Sequence, residues 1–382
     1  MQTPGCRSLG ITRHTSVSVP GTGHDPNGHV RWLQSLTPWP AEFGLARMHT
    51  LLADLGEPQR RYPAIHVVGT NGKSSTTLLT AELLRSTGLH VGAYISPHVR
   101  GWSERIQIDG VHADLDAALA RIRPYAEGAT QFEVLTAAAL AEFAAQEVDV
   151  AVLEAGLGGR HDATNVVQAP IVVLTNIALD HTEVLGETRE AIAAEKLAVV
   201  TPGAVVILGE PEWEELAREN GAARVELPGN SNLALAVAAA EAQLGRTVDP
   251  HAADALAIPG RLERRGDTPL EIWDGAHNLA GIGYLLPRLP GRRFTILTSI
   301  LADKEAGGML RALTAVGDTL VATRSSNPRA LPAEELARLA APHFGSVEAV
   351  PEPHEALERA RHLAGPDGAV LVTGSLYLLS DL

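Results

Sequence analysis

A short β-rich run, Ala64–Val68, leads directly into Gly69-Thr70-Asn71-Gly72-Lys73-Ser74-Ser75 and then into residues at helical spacing, Thr76–Arg85. A strand that feeds a helix through a glycine turn belongs to a βαβ unit, so the chain is committed early to a parallel sheet. The same turn carries chemistry. Glycines let backbone N–H groups converge, the helix N-terminus adds partial positive charge, and the two together cradle an anion. Lys73 would neutralise β/γ-phosphate charge, and Ser74 or Ser75 would approach the phosphate or its metal. An ordinary glycine-rich βα turn is the structural alternative, but strand, Gly-Lys-Ser and helix in succession favour the phosphate site. The spacing is shorter than the full Walker pattern, because position 67 is Val rather than Gly.

The alternation continues along the chain. Strands are expected at His90–Ile95, Asp149–Glu154, Ile171–Ile177 and Ala204–Gly209, with helices at Gln131–Gln146, Glu187–Val200 and Ser231–Leu244. The pattern breaks near Pro259-Gly260 and restarts with strands at Leu270–Asp274, Phe294–Ile300, Thr319–Thr323, Ser346–Val350 and Ala369–Thr373. The expected fold is α/β, with mainly parallel sheets, in two domains: 29–258 and a smaller Rossmann-like unit, 259–382. Residues 1–28, rich in Gly, Pro, Ser, Thr and His without an apolar centre, are expected to be a flexible tail rather than a signal peptide.

Composition narrows the partners. The formal net charge of −14 argues against a general binder of nucleic acid or anionic membranes, so a phosphate site must be a local exception. No apolar run reaches the ~18 residues of a transmembrane helix. The single cysteine, Cys6, excludes an intrachain disulfide and fits a reducing, cytoplasmic compartment. Lys and Arg total 31, yet only Lys73, Lys196 and Lys304 are lysines. Where a generic surface cation is almost always Arg, a surviving lysine is a candidate for chemistry that Arg cannot supply, or else a residual surface charge.

Glu154 ends a buried strand beside the phosphate loop, where parallel α/β folds gather ligands. A carboxylate there suits a Mg²⁺ that also holds ATP phosphates and waters, or it caps the following glycine turn. His181, just past the Ile171–Ile177 strand, is by itself more often a structural histidine than a ligand. Asp274 and Asn278 follow a strand end, where turn chemistry is the plain alternative.

The form Gly69-Thr70-Asn71-Gly72-Lys73 resembles the Mur-ligase superfamily and, within it, the folylpolyglutamate synthase/dihydrofolate synthase family. The resemblance runs in order through Tyr94-Ile95-Ser96-Pro97-His98, Glu104-Arg105-Ile106, Phe132-Glu133-Val134-Leu135-Thr136, and Glu154-Ala155-Gly156-Leu157-Gly158-Gly159-Arg160 with Asp162-Ala163-Thr164-Asn165. It goes on through Leu179-Asp180-His181-Thr182, Glu195-Lys196, Pro259-Gly260-Arg261-Leu262-Glu263, Asp274-Gly275-Ala276-His277-Asn278, Ile300-Leu301-Ala302-Asp303-Lys304, Asn327-Pro328-Arg329-Ala330-Leu331 and Gly374-Ser375-Leu376-Tyr377. It spans roughly residues 30–380.

The resemblance implies a P-loop-containing Mur-ligase-type ATPase domain followed by a glutamate ligase domain. It implies an ATP-dependent ligase that activates a carboxylate of dihydropteroate or of folates as an acyl phosphate and couples it to L-glutamate. Ser96, Glu154 and His181 would hold magnesium, with a second Mg²⁺ assisted by a carbamylated Lys196. Arg261 would reach ATP phosphates on domain closure, Asp274 and Asn232 would contact the nucleotide, and His277 would lie near the reacting groups. Arg105 would bind the pterin or the incoming glutamate, Ser375 would help hold glutamate, and the protein would be a monomer. The chain departs from the family in having Ser74 where Gly is common, Leu279 where Pro is usual, and a shortened stretch between about Gly209 and Ser231. That stretch is expected to lack the usual extra strands and the Gln before Asn232, and so to alter the nucleotide base contacts. Two other readings stay open: a Mur-type ligase acting on a peptidoglycan precursor, and a non-catalytic ATP-binding module. The Ser96-Pro97-His98 loop and the Gly158-Gly159-Arg160 run favour folate.

Overall fold

The computed structural model describes residues 28–382 apart from residues 39 and 41, so the expected tail and Cys6 lie outside the described residues, Gly28 excepted. Two sheets organise the chain. The first contains β1 (Ala64–Val68), β2 (Val91–Tyr94), β3 (Ile106–Ile108), β4 (Val111–His112), β5 (Val150–Glu154), β6 (Ile171–Leu174), β7 (Val205–Leu208) and β8 (Arg224–Glu226). Their order is β4-β3-β2-β5-β1-β6-β7-β8. The second contains β9 (Glu263–Asp267), β10 (Leu270–Trp273), β11 (Thr295–Thr298), β12 (Thr319–Ala322), β13 (Ser346–Ala349) and β14 (Ala369–Thr373), in the order β13-β12-β11-β14-β10-β9.

Pairing is parallel from β2 through β8 and from β13 through β10; β3, β4 and β9 add antiparallel edges. The central strands are buried along their whole length, Ala64–Val68, Val150–Glu154 and Ile171–Leu174 alike. Continuous apolar runs of this kind mark strands covered by helices on both faces. Each fully buried Val, Leu or Ile contributes about 1.5–3 kcal/mol.

Helix Gln131–Ala145 begins with a capping box, in which the Thr130 hydroxyl accepts from the Glu133 N–H and the Glu133 carboxylate accepts from the Thr130 N–H. Its alanines allow close approach to the sheet, and its Phe143 ring fills the space above Gly92, where a Cβ would meet Cδ1 at 2.5 Å.

The strands expected from the alternation are present, trimmed by a residue or more at most ends. The stretch 209–231 differs from expectation. It holds a helix, Glu214–Glu219, and a further parallel strand, β8, paired to β7. Six and three residues of mixed polarity carry too little periodicity to stand out in a sequence. The antiparallel β3, β4 and β9 are also additions: β4 and β9 are exposed edge strands whose apolar signal is weak, and β3, three residues between β4 and β2, is too short to show a period.

Parallel strands align their carboxyl ends. In the first sheet β1, β2, β5 and β6 therefore deliver Gly69, Ser96, Glu154 and Thr175 to one edge. The loops after β10, β11 and β14 close over it from the second sheet. Among the described residues no helix is long and apolar enough to cross a membrane.

Candidate active site

The loop after β1 is held open by its neighbours. Gly69 has φ 143°, and a Cβ there would stand 1.9 Å from the Thr175 hydroxyl; Gly72 has φ 82°, with a Cβ 2.5 Å from Asn232 Oδ1. Both positions therefore require glycine on conformation and on space. The loop backbone is tied to the end of β6: Thr70 N–H donates to Asn176 O (2.9 Å), Asn71 N–H to Asn176 Oδ1 (3.1 Å), and Thr175 Oγ1 donates to Asn71 O (2.7 Å). Helix Lys73–Ser86 starts directly from Gly72. Among the described residues Lys73 Nζ donates only to the carbonyl of Thr70, at 3.2 Å.

Glu154, at the end of β5, is 2% exposed. Its carboxylate accepts from Ser74 Oγ (3.0 Å) and from the Ser96 backbone N–H (3.0 Å). Burial pushes this carboxyl up; the Lys73 charge and the two donors oppose it. Lys196, on helix Arg189–Leu197, is 4% exposed and donates to Gly69 O at 2.8 Å. Burial, reinforced by Lys73, pushes its ammonium down to about 7. The helix is seated by Gly159, where a Cβ would meet the Glu195 and Lys196 carbonyl oxygens at 2.8 and 2.6 Å. Gly159→Ala is accordingly expected to lower stability by about 1–3 kcal/mol, the usual cost of overpacking. Urea unfolding measures it, and an unchanged midpoint would show that the helix can shift freely.

A single cavity of about 130 Å³ brings together Gly69, Thr70, Asn71, Gly72, Lys73, Ser74, Ser96, Glu154, His181, Lys196, Arg261 and His277. Twelve of the residues singled out from the sequence thus face one cleft. Ser75 lies one residue into the helix and is buried. Asn232 starts helix Asn232–Leu244 against Gly72. Three others stand apart from the cavity wall. Asp274 accepts from the N–H groups of Leu262 and Ala276, both at 2.9 Å, so its carboxylate shapes the turn that presents Arg261. Burial pushes its carboxyl up, and Arg261 opposes this. Ser375 is 1% exposed and caps helix Leu376–Asp381 by accepting from the Tyr377 N–H. Arg105 lies over the Trp102 ring, 4.8 Å from its centre, and donates to His98 Nδ1 at 3.0 Å; burial lowers its pKa.

The site also contains residues to which the sequence reading gave no role. Asp180 lines the cavity, with Lys304 Nζ on Oδ1 and Asn278 Nδ2 on Oδ2 at 2.9 Å. The Nε2 atoms of His277 and His181 lie 3.8 and 3.9 Å from its oxygens. Burial alone would raise the Asp180 carboxyl, but Lys304 and the two histidines hold it well below the usual carboxylate range. Lys304 had one sequence signal, its being among three lysines. Asp180 had none beyond its motif.

The donor set fits magnesium. Among the described residues no cluster of three or more His, Cys, Asp or Glu side chains forms a metal cage. One buried carboxylate with serine hydroxyls beside an anion cradle is what an ion completed by phosphate oxygens and waters requires.

Comparison with known proteins agrees with this geometry. The Mur ligase middle domain matches residues 67–247 and the Mur ligase glutamate ligase domain residues 260–376. The dihydrofolate synthase/folylpolyglutamate synthase of Mycobacterium tuberculosis is 33% identical over 88% of this chain and 89% of its own length. The enzyme of the same name from Escherichia coli is 31% identical over 92% and 93%. Among solved structures, M. tuberculosis folylpolyglutamate synthase complexed with ADP superposes with a TM-score of 0.84 at 31% identity, covering 92% of this chain and 96% of that one. E. coli FolC in complex with DHPP and ADP gives 0.83 at 30% identity, covering 94% and 97%. A Yersinia pestis relative, 29% identical with a TM-score of 0.81, was solved with AMPPNP and a Mn ion. The chain belongs to the folylpolyglutamate synthase/dihydrofolate synthase family of Mur ligases.

Proposed function

We propose that this chain uses ATP to activate the carboxylate of dihydropteroate, of reduced folates, or of both, and couples it to the amine of L-glutamate. One observation carries the reading: Lys73 and the loop N–H groups at the end of β1 share a cleft with Arg261 and His277 from the second unit. Phosphate charge is met from one side by the loop and Lys73 and from the other by Arg261, which favours transfer of the γ-phosphoryl group to the substrate carboxylate. The amine of glutamate then attacks the acyl carbonyl, the C–O bond to phosphate breaks, and phosphate leaves. His277, with Nδ1 held at 2.8 Å by the Gly275 carbonyl and burial pushing its pKa down, presents an uncharged ring edge beside Asp180. So low a pKa makes the ring a weak base, so its part is to set an uncharged hydrogen-bonding edge beside the reacting groups, and the proton the amine loses passes to the departing phosphate.

Glu154, with the Ser96 hydroxyl and His181, would hold a magnesium ion, which supplies charge neutralisation on the phosphates when bound. Lys196 supports a second role. An amine with a pKa near 7 has a substantial neutral fraction at physiological pH, and a neutral amine adds CO₂ to become a carbamate, an anion suited to a second ion. Arg105, in its partly aromatic setting of Trp102 and His98, is a candidate contact for the pterin or the glutamate.

The test is ADP release by purified protein with Mg-ATP and glutamate, offering dihydropteroate and a reduced folate separately. Release that depends on a pterin is expected, and the two pterins compared separate one activity from two. Release with neither, or release only with a UDP-sugar substrate, contradicts the reading. Chelating the divalent ion is expected to abolish release, with recovery on adding magnesium back.

A further inference from the structure

The two units meet at a buried polar node that the chemistry above leaves without a part. Asp180 lies between β6 and His181, in the first unit; Asn278 follows β10 and Lys304 follows β11, both in the second. The side chains of Asp180 and Lys304 are each only 6% exposed. Asn278 spans three partners. Its Oδ1 caps helix Leu279–Leu285 by accepting from the Gly281 N–H at 2.7 Å, while Nδ2 donates both to Asp180 Oδ2 (2.9 Å) and to Asn71 Oδ1 (3.0 Å). Asn71 is a residue of the phosphate loop, so an unbroken chain of hydrogen bonds joins Lys304, Asp180, Asn278 and that loop.

From this chain of contacts we infer that Asp180, Asn278 and Lys304 form the latch that holds the second unit closed over the cleft; the inference rests on the ligase reading above. These residues position the two halves and leave the reacting groups to others. Another ion pair between the units, Arg100 with Glu263 at 2.6 Å, has its arginine 57% exposed. Exposed pairs hold little. The Asp180 node is different, because a buried carboxylate stripped of its cation is left uncompensated, and charge-assisted bonds are the stronger class. Opening the second unit breaks three bonds at once, the third being to the phosphate loop. Closure is therefore coupled to the arrangement of that loop. An acyl phosphate formed under a closed latch meets only the amine. With the latch weakened, water attacks the acyl carbonyl instead, returning the original carboxylate and free phosphate, and ATP is consumed without ligation.

The experiment measures phosphate released per glutamate ligated, together with kcat and the KM for glutamate, in the full chain and in Lys304→Met, Asn278→Asp and Lys304→Arg. Asn278→Asp keeps the helix-cap acceptor, replaces the donor to Asp180 and Asn71 with a carboxylate that repels Asp180, and leaves Lys304 in place as counter-charge, so it serves even where Lys304→Met does not fold. Wild type is expected to release one phosphate per ligation. Lys304→Met and Asn278→Asp are expected to release several, with the glutamate KM raised on the order of tenfold, the factor that corresponds to one such contact. Lys304→Arg, which keeps the cation, is expected to move the ratio back toward one. Variants that lose kcat while keeping one phosphate per ligation and the wild-type KM overturn the latch. A wild-type chain that releases no phosphate with any pterin overturns instead the ligase reading.

Discussion

Lys73→Met is expected to lower kcat by on the order of 10²–10³-fold, the range seen when one preorganised group aimed at developing charge is removed. Its ammonium makes one backbone hydrogen bond, at 3.2 Å to Thr70, so little of the fold depends on it. The loop it projects from is held separately by Thr175 and Asn176. Thermal unfolding should therefore stay close to wild type while activity collapses. The loss should lie in kcat more than in the KM for glutamate, since glutamate enters after phosphoryl transfer. A variant with more than about a tenth of wild-type kcat contradicts the role given to Lys73, because a factor of ten corresponds to only about 1.4 kcal/mol.

Lys196→Met is expected to separate stability from activity. The folded-state pKa of about 7 lies below the ordinary 10.5, so between these values the unfolded chain binds a proton that the folded chain does not. Unfolding free energy from this group therefore rises as pH climbs from about 7 to about 10.5, and the full penalty is present below about 7. Methionine removes the penalty. In CO₂-free buffer the variant should gain most over wild type near pH 6, on the order of a few kcal/mol, and the gain should shrink as pH rises toward 10. Activity should move the other way, falling by on the order of 10²-fold or more if the amine carries the anion proposed for it. Added bicarbonate should raise the activity of CO₂-depleted wild type and leave the variant unchanged. A Lys196→Met protein with wild-type turnover would reduce Lys196 to a buried hydrogen-bond donor for Gly69.

Much of this was legible in the chain, for physical reasons that differ from residue to residue. Buried parallel strands write themselves as apolar runs, so β1, β5, β6 and β14 stood out. The phosphate loop was readable because Gly69, Gly72 and Lys73 are demanded by backbone geometry and charge, both local properties. Lysine scarcity pointed at Lys73, Lys196 and Lys304, and two line the cleft while the third is bonded to Asp180 at its edge. What stayed hidden is non-local. Thr175 and Asn176 hold the loop from more than a hundred residues away, and Asp180 gains its importance only from Lys304 and Asn278, brought to it by the second sheet. Asp274 and Ser375 show the converse. Motif position suggests ligand contacts, and the fold adds a local use the motif does not show: their oxygens also accept from backbone N–H groups at a turn and a helix start, the ordinary use of Asp and Ser at such places. Helix Glu214–Glu219 and β8 were missed because segments this short leave no period to read.

The central claim is that the cleft makes an acyl phosphate and then an amide. It is tested most directly with dihydropteroate or a reduced folate carrying ¹⁸O in the carboxylate to be ligated, in the presence of Mg-ATP and glutamate. The phosphate released is analysed by mass spectrometry. Attack of the carboxylate on the γ-phosphate followed by displacement leaves one substrate oxygen on phosphate, so phosphate bearing one ¹⁸O, equal in amount to the ligated product, is the predicted result. Ligated product accompanied by unlabelled phosphate would contradict it, because water rather than the substrate carboxylate would then have taken the γ-phosphoryl group.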